Sequence, residues 1–176
     1  MAVVFDTETT GLIENRTRAL SRQPEVIEFY GCLANLASGK IESEVEHLIR
    51  PANRIEDHTT VITGIREEDL RGKPVFEEVG KEIAALFTMA PVAIAHNATF
   101  DRDVLEVEAE RARIEIKFPR LICTVEQTMH IRGHRLALGD LHEYLFGAKF
   151  EGAHRARHDV AALLKCCCEL YKRNMI

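Results

Sequence analysis

Tryptophan is absent from this chain, and aromatic residues make up only 6% of it. No apolar run approaches the roughly 18 residues that a helix needs to cross a bilayer, and no basic stretch followed by an apolar one opens the sequence as a secretory signal would. These absences predict a soluble, cytoplasmic protein with no membrane partner. The five cysteines are odd in number and lack the paired spacing of a zinc site, with Cys166, Cys167 and Cys168 consecutive, which argues against a disulfide framework and for small apolar residues in a reducing compartment. Cationic charge is also short. The 23 Lys and Arg against 28 Asp and Glu leave a net charge of −5, the wrong sign for a protein that grips polyanions chiefly through a basic surface. Internal repeats and low-complexity segments are missing as well.

What is present suffices for one core. A chain of 176 residues with 46% hydrophobic content is long enough for one well-buried interior and too short for two ordinary domains, so residues 1–176 are expected to form one unit. Ala2 to Phe5 reads as a buried strand. Val26 to Leu33 and Val45 to Ile49 continue it into an antiparallel meander, with a turn at Ser38-Gly39. The apolar spacing of Phe76, Val79, Ile83, Leu86 and Phe87 predicts a helix that Pro91 ends. A strand over 91–95, a helix through Leu105, Ala109 and Ala112, a strand over 121–123, and helices near 124–130, around Leu138 to Leu145 and from Val160 to Tyr171 follow. Strands first and then strands alternating with helices indicate an α/β domain with a mixed sheet.

Acidic residues recur at three stations. Asp6 and Glu8 are two apart at the end of the first strand, where residues i and i+2 share a face, so their carboxylates converge. A converging pair repels unless it takes up a proton or shares a cation, and two hard oxygen donors suit a divalent metal. An acidic strand end that caps a turn has the same spacing. Asp101 falls at a strand-to-helix junction, where an acidic residue also serves as a simple helix cap. Asp159 opens the last helix, with His154 in the loop before it, too far along to share its face. Glu28, within an apolar strand, is expected to be satisfied by a partner.

Asp6-x-Glu8 with Thr9-Thr10-Gly11-Leu12, then His96-Asn97-Ala98-Thr99-Phe100-Asp101, then His154-x-x-x-x-Asp159, taken in order, resembles the DEDDh family of 3′-5′ exonucleases over residues 2 to about 172. Chain length and Leu121-Ile122-Cys123-Thr124 are most similar to exonuclease X and to the proofreading epsilon subunits of bacterial DNA polymerase III. The sister subclass carries Tyr where this chain has Arg155, which indicates the histidine subtype. The resemblance implies a ribonuclease H-like fold, a mixed central sheet flanked by helices. It also implies phosphodiester hydrolysis from a nucleic-acid 3′ end by two divalent ions about 3.5–4 Å apart. Asp6, Glu8, Asp101 and Asp159 would hold two Mg²⁺, with Mn²⁺ able to substitute, and the ions would offset the acidic charge. His154 would be the general base, a role suited to an imidazole; His158 is its competitor, and the family spacing selects His154. Backbone groups of Thr9, Thr10 and Gly11 would approach the terminal nucleotide, Leu12 and the segment from Ile62 to Ile65 would form an apolar wedge against the last bases, and Asn97 and Phe100 would line the strand's path.

The expected activity is release of nucleoside 5′-monophosphates, with single-stranded DNA as the preferred partner and little sequence preference. An exoribonuclease of the RNase T or oligoribonuclease type shares these motifs, because the choice rests on how the sugar pocket treats a 2′-hydroxyl. A non-catalytic nucleic-acid-binding module is the alternative from another class, and the presence of all four carboxylates and the histidine speaks against it. A polymerase partner, suggested by the epsilon subunits, gains no support from the few residues after 172. Arg16, Arg18 and Arg22 form a basic loop after the first motif, either a solvated surface or a clamp on substrate phosphates.

Overall fold

The computed structural model describes residues 1–13 and 19–176. Arg16 and Arg18 of the basic loop lie outside the described residues.

Strand β1 (Ala2–Thr9) is followed by a 3-10 turn (Leu20–Arg22), β2 (Val26–Asn35) and β3 (Lys40–Leu48). Helices α1 (Asp57–Thr63), α2 (Glu67–Leu70) and α3 (Phe76–Phe87) lead to β4 (Val92–Ala95), α4 (Ala98–Ala112) and β5 (Arg120–Cys123). The chain then runs through α5 (Thr124–Arg132), α6 (Leu138–Phe146) and α7 (Ala156–Lys172). The five strands form one sheet in the order β3-β2-β1-β4-β5. The β1–β2 and β2–β3 pairs are antiparallel, whereas β1–β4 and β4–β5 are parallel. This mixed, helix-flanked sheet is the ribonuclease H-like arrangement expected from the sequence.

The alternation of β1 sets the two faces. Val3 and Phe5 enter the core formed with α3 and α4, through Ile83, Leu86, Phe87, Val104 and Leu105. Ala2 and Val4 face the other way, against Ala156, Val160, Leu163 and Cys167 of α7. With both faces covered, the strand reads as an unbroken apolar run rather than an alternating one. Phe5 meets Phe87 edge to face at 4.9 Å, and burying each ring fully contributes on the order of 1.5–3 kcal/mol. Gly31 of β2 pairs with Phe5, and a Cβ there would stand 2.6 Å from Leu86 Cδ2. A side chain there would force Leu86 and the neighbouring Phe29 ring to shift within the core.

Two expectations are corrected. The third strand begins at Lys40, five residues before Val45, because alternating Glu42, Glu44 and Glu46 extend it along the open edge of the sheet beyond the apolar run that marked it. An edge strand needs no second buried face, and charge there discourages further pairing. Helices α1 and α2 were not foreseen. Both are short and carry little apolar pattern: Val61 and Ile62 of α1 are exposed, and only Leu70 of α2 enters a small cluster with Ile27, Ile55 and Ile65.

Candidate active site

The alternation that buries Ala2 and Val4 against α7 continues to Asp6 and Glu8, so both carboxylates lie on the α7 side of the sheet. Asp159, in the first turn of α7, meets them there. Ligand oxygens of Asp6, Glu8 and Asp159 all lie within 4.8 Å of one another, and this is the one such group found among the described residues. Thr7 points to the opposite layer, where its amide and hydroxyl both donate to Asp101 Oδ1, at 3.0 and 2.8 Å. Because β1 and β4 are parallel, the β4–α4 junction lies at the same sheet end as Asp6 and Glu8. Asp101 therefore approaches the acidic centre from the other side, tied to the strand between Asp6 and Glu8.

The four carboxyls are all held above their ordinary range. Burial pushes the Glu8 carboxyl up to about 8 from 4.5, with further upward pressure from Asp159, Glu28 and Asp101 and partial relief from Arg155. Burial likewise raises Asp6 well above the usual carboxylate range, reinforced by Asp101, Asp159, Glu8 and Glu28. Asp101 is raised by burial against the two Thr7 hydrogen bonds. Asp159 is raised by burial too, while the backbone of His154 and Arg155 holds it down. Hard oxygen donors crowded in this way fit a divalent metal, which would remove the repulsion that protonation otherwise relieves.

His154 occupies the wall of a cavity of about 410 Å³ whose lining also includes Glu8, Gly11, Leu12, Ile62 and Phe100. His158 is turned elsewhere: its Nδ1 lies 3.1 Å from the Gly152 carbonyl, which can only accept, so the ring donates to the loop. Thr9 and Gly11 line the cavity, with the Thr9 hydroxyl donating to the Gly11 carbonyl at 2.7 Å. Thr10 is absent from that lining and is held between Glu25 and Thr59, whose hydroxyl donates to its carbonyl at 3.0 Å. Leu12 is 78% exposed and Ile62 54%, as expected of apolar groups awaiting a flat partner. Phe100 both packs against the core and faces the cavity.

Ile65 is the placement that fails. It is 2% exposed, in the cluster with Ile27, Ile55 and Leu70, because the left-handed Gly64 ends α1 and turns the chain inward. Ile62, one helical turn earlier, takes the exposed position. Asn97, in a left-handed conformation before α4, accepts from Arg135 at 2.7 Å and is not among the cavity residues. His96 of the same motif holds the α5–α6 connection, Nε2 donating to the Leu136 carbonyl at 3.0 Å and Nδ1 facing the Thr124 hydroxyl at 2.9 Å. Burial keeps its pKa down near 4, so the ring is neutral. Thr7, His58 and Thr59 belong to the cavity without having been singled out. For Thr7 the strand period gives only the face: alternating with two acidic residues, it points to the opposite side of the sheet.

Residues 3–167 match the RNase T exonuclease family. The chain belongs to that family. It is 33% identical over 164 residues to a PolC-type DNA polymerase III of Streptococcus suis (strain 98HAH33), which covers 91% of this chain and 10% of that one. A PolC-type enzyme of Streptococcus sanguinis (strain SK36) is 32% identical over 162 residues, again covering 91% of this chain and 10% of the relative. The exonuclease chain thus spans about a tenth of the length of these relatives. Among solved structures, the nuclease domain of 3′hExo, a DEDDh family member bound to rAMP, superposes with a TM-score of 0.79 at 16% identity, covering 98% of this chain and 92% of that one. Exonuclease X in complex with 5′ overhanging duplex DNA gives 0.68 at 23% identity, covering 99% and 93%. At these identities the structural likeness confirms the fold.

Proposed function

We propose that this exonuclease hydrolyses phosphodiester bonds from the 3′ end of single-stranded or frayed DNA and releases nucleoside 5′-monophosphates. One observation carries the reading: ligand oxygens of Asp6, Glu8 and Asp159 converge within 4.8 Å beside a cavity of about 410 Å³ that His154 overlooks. Asp6, Glu8, Asp159 and Asp101 would hold two Mg²⁺, with Asp6 shared and Mn²⁺ able to substitute. Once bound, the ions would supply charge neutralisation at the phosphate and at the departing 3′-oxygen.

The chain's own groups do the rest. His154 takes the proton of the attacking water, the role that an imidazole on the cavity wall can fill. Leu12 and Ile62 flank the terminal base, with Phe100 inside the cavity beside them. Backbone atoms around Thr9 and Gly11 approach the sugar. A second cavity, about 650 Å³, shares Gly11, Leu12 and His58 with the first and carries Arg22 and Arg54, which offers a continuous path for the next nucleotides. None of these groups reads base edges, so sequence preference is slight.

Similarity to PolC-type DNA polymerases supports DNA over RNA, since it reaches 33% identity where the rAMP-bound neighbour reaches 16%. End-labelled DNA and RNA oligonucleotides, single- and double-stranded, incubated with Mg²⁺ or with chelator, test the reading. Stepwise shortening of DNA from the 3′ end, abolished by chelator, is expected. Faster shortening of RNA would make the chain an exoribonuclease, and no shortening of either would leave only a binding module.

A further inference from the structure

Glu28 is a fifth carboxylate beside the acidic centre. It is 2% exposed and pairs with Glu8 across β1 and β2, and its charge bears on both Asp6 and Glu8. Yet its oxygens are turned away from the cluster. The Arg155 guanidinium donates to Oε1 from one terminal nitrogen at 2.8 Å and to both oxygens from Nε at 3.2 Å, while the Ala156 amide donates to Oε2 at 2.9 Å. Arg155 is the residue at which the loop becomes α7. Its own amide donates to Asp159 Oδ2 at 3.0 Å. One residue thus ties β2, the helix entry and a metal-ligating carboxylate together.

His154 immediately precedes it, with φ at 68°. A side chain with a Cβ enters this left-handed region at a cost and remains there only where its surroundings enforce it. The loop on the other side is restrained by the Gly152 carbonyl accepting from His158. His154 itself is exposed, so packing does not fix it. We propose that the Glu28–Arg155 pair is a positioning element that holds His154 in its strained conformation over the carboxylate cluster. This rests on the exonuclease reading, and it assigns to Glu28 and Arg155 a task separate from metal binding. Arg157, one turn-face away, binds Glu46 and Glu44 at the sheet edge and lies over the Tyr30 ring at 4.6 Å. It clamps the same helix without touching the histidine loop, so it separates anchoring from positioning.

The test compares Arg155→Ala, Arg155→Lys, Glu28→Gln and Arg157→Ala on a 3′-labelled single strand with Mg²⁺, in wild-type and His154→Ala backgrounds. Arg155→Ala is expected to lower kcat by roughly 10- to 100-fold with KM and Mn²⁺ affinity within about 2-fold. Arg155→Lys should recover part of the loss, and Arg157→Ala should change kcat less than about 3-fold. In the His154→Ala background the Arg155→Ala loss should vanish, since residues that act through one another do not add. Equal losses in both backgrounds, or an Arg155→Ala enzyme with wild-type kcat, overturn the proposal while leaving the exonuclease reading intact. Should Arg155→Ala fail to fold, Glu28→Gln carries the same comparison, because it keeps an acceptor for Ala156 and weakens only the grip on Arg155. A wild-type chain without metal-dependent release would instead overturn the exonuclease reading itself.

Discussion

Replacing Glu8 by Gln should stabilise the metal-free protein at alkaline pH while destroying its response to Mg²⁺. Burial and three neighbouring carboxylates lift the Glu8 carboxyl from 4.5 to about 8. Below about 4.5 the folded and unfolded chains both hold the proton, and the residue costs nothing. Between 4.5 and 8 the unfolded chain ionises first, so stability falls as pH rises and levels off above about 8. At about 1.4 kcal/mol per pH unit, this interval sets a ceiling of roughly 5 kcal/mol. Asp6, Asp101 and Asp159 relieve one another by taking up protons in turn, which brings the realised gain to roughly 2–3 kcal/mol. At about 2–4 °C per kcal/mol for a chain of this size, Glu8→Gln should raise Tm by roughly 4–12 °C at pH 8 in chelator. No difference is expected at pH 4. Thermal scans from pH 4 to 9, with EDTA and with Mg²⁺, make the measurement. With Mg²⁺ the wild-type chain should gain stability as pH rises, and the variant should gain far less. A variant no more stable than wild type at pH 8 in chelator would refute the account of a cluster strained by its own charge.

Alanine at Asp6, Asp101 or Asp159 should reduce Mg²⁺-dependent nucleotide release to background with the fold retained by circular dichroism; near wild-type turnover at any one would remove that residue from the ligand set. His154→Ala should cost roughly 10²–10⁴-fold in kcat and His158→Ala little, and the reverse order in single-turnover assays would reassign the base. Leu12→Ala combined with Ile62→Ala should raise KM for oligonucleotides several-fold more than for a nitrophenyl ester of thymidine monophosphate, whereas Ile65→Ala should lower Tm, by an amount typical of a buried truncation, without that selectivity. Arg22→Ala with Arg54→Ala should flatten the salt dependence of single-strand binding by at most about two phosphate contacts, and an unchanged slope would make the second cavity solvent-facing surface.

The acidic cluster was legible because strand geometry is periodic. Once Ala2 to Phe5 is a strand, Asp6 and Glu8 must share a face, and only the partner on that face remained to be found. Asp159 supplies it because α7 packs its apolar stripe against Ala2 and Val4, the same face two residues earlier. Thr7 and Asp101 depend on the opposite layer, and nothing in local sequence states that α4 will reach around the sheet end to meet a threonine. Within the segment from Ile62 to Ile65, the division of labour was hidden for a related reason. Ile62 and Ile65 are equally apolar, and what separates them is the end of α1 at Thr63 and the left-handed Gly64, which sends one side chain to the cavity and the other beneath Leu70. Glu28 shows the limit most clearly. Its expected partner exists, but that partner is Arg155, 127 residues away in sequence, and the pairing follows only after the sheet has brought β2 beneath the entry to α7. Local patterns therefore reveal which groups can do chemistry, while the groups that hold them in place come from contacts between distant segments.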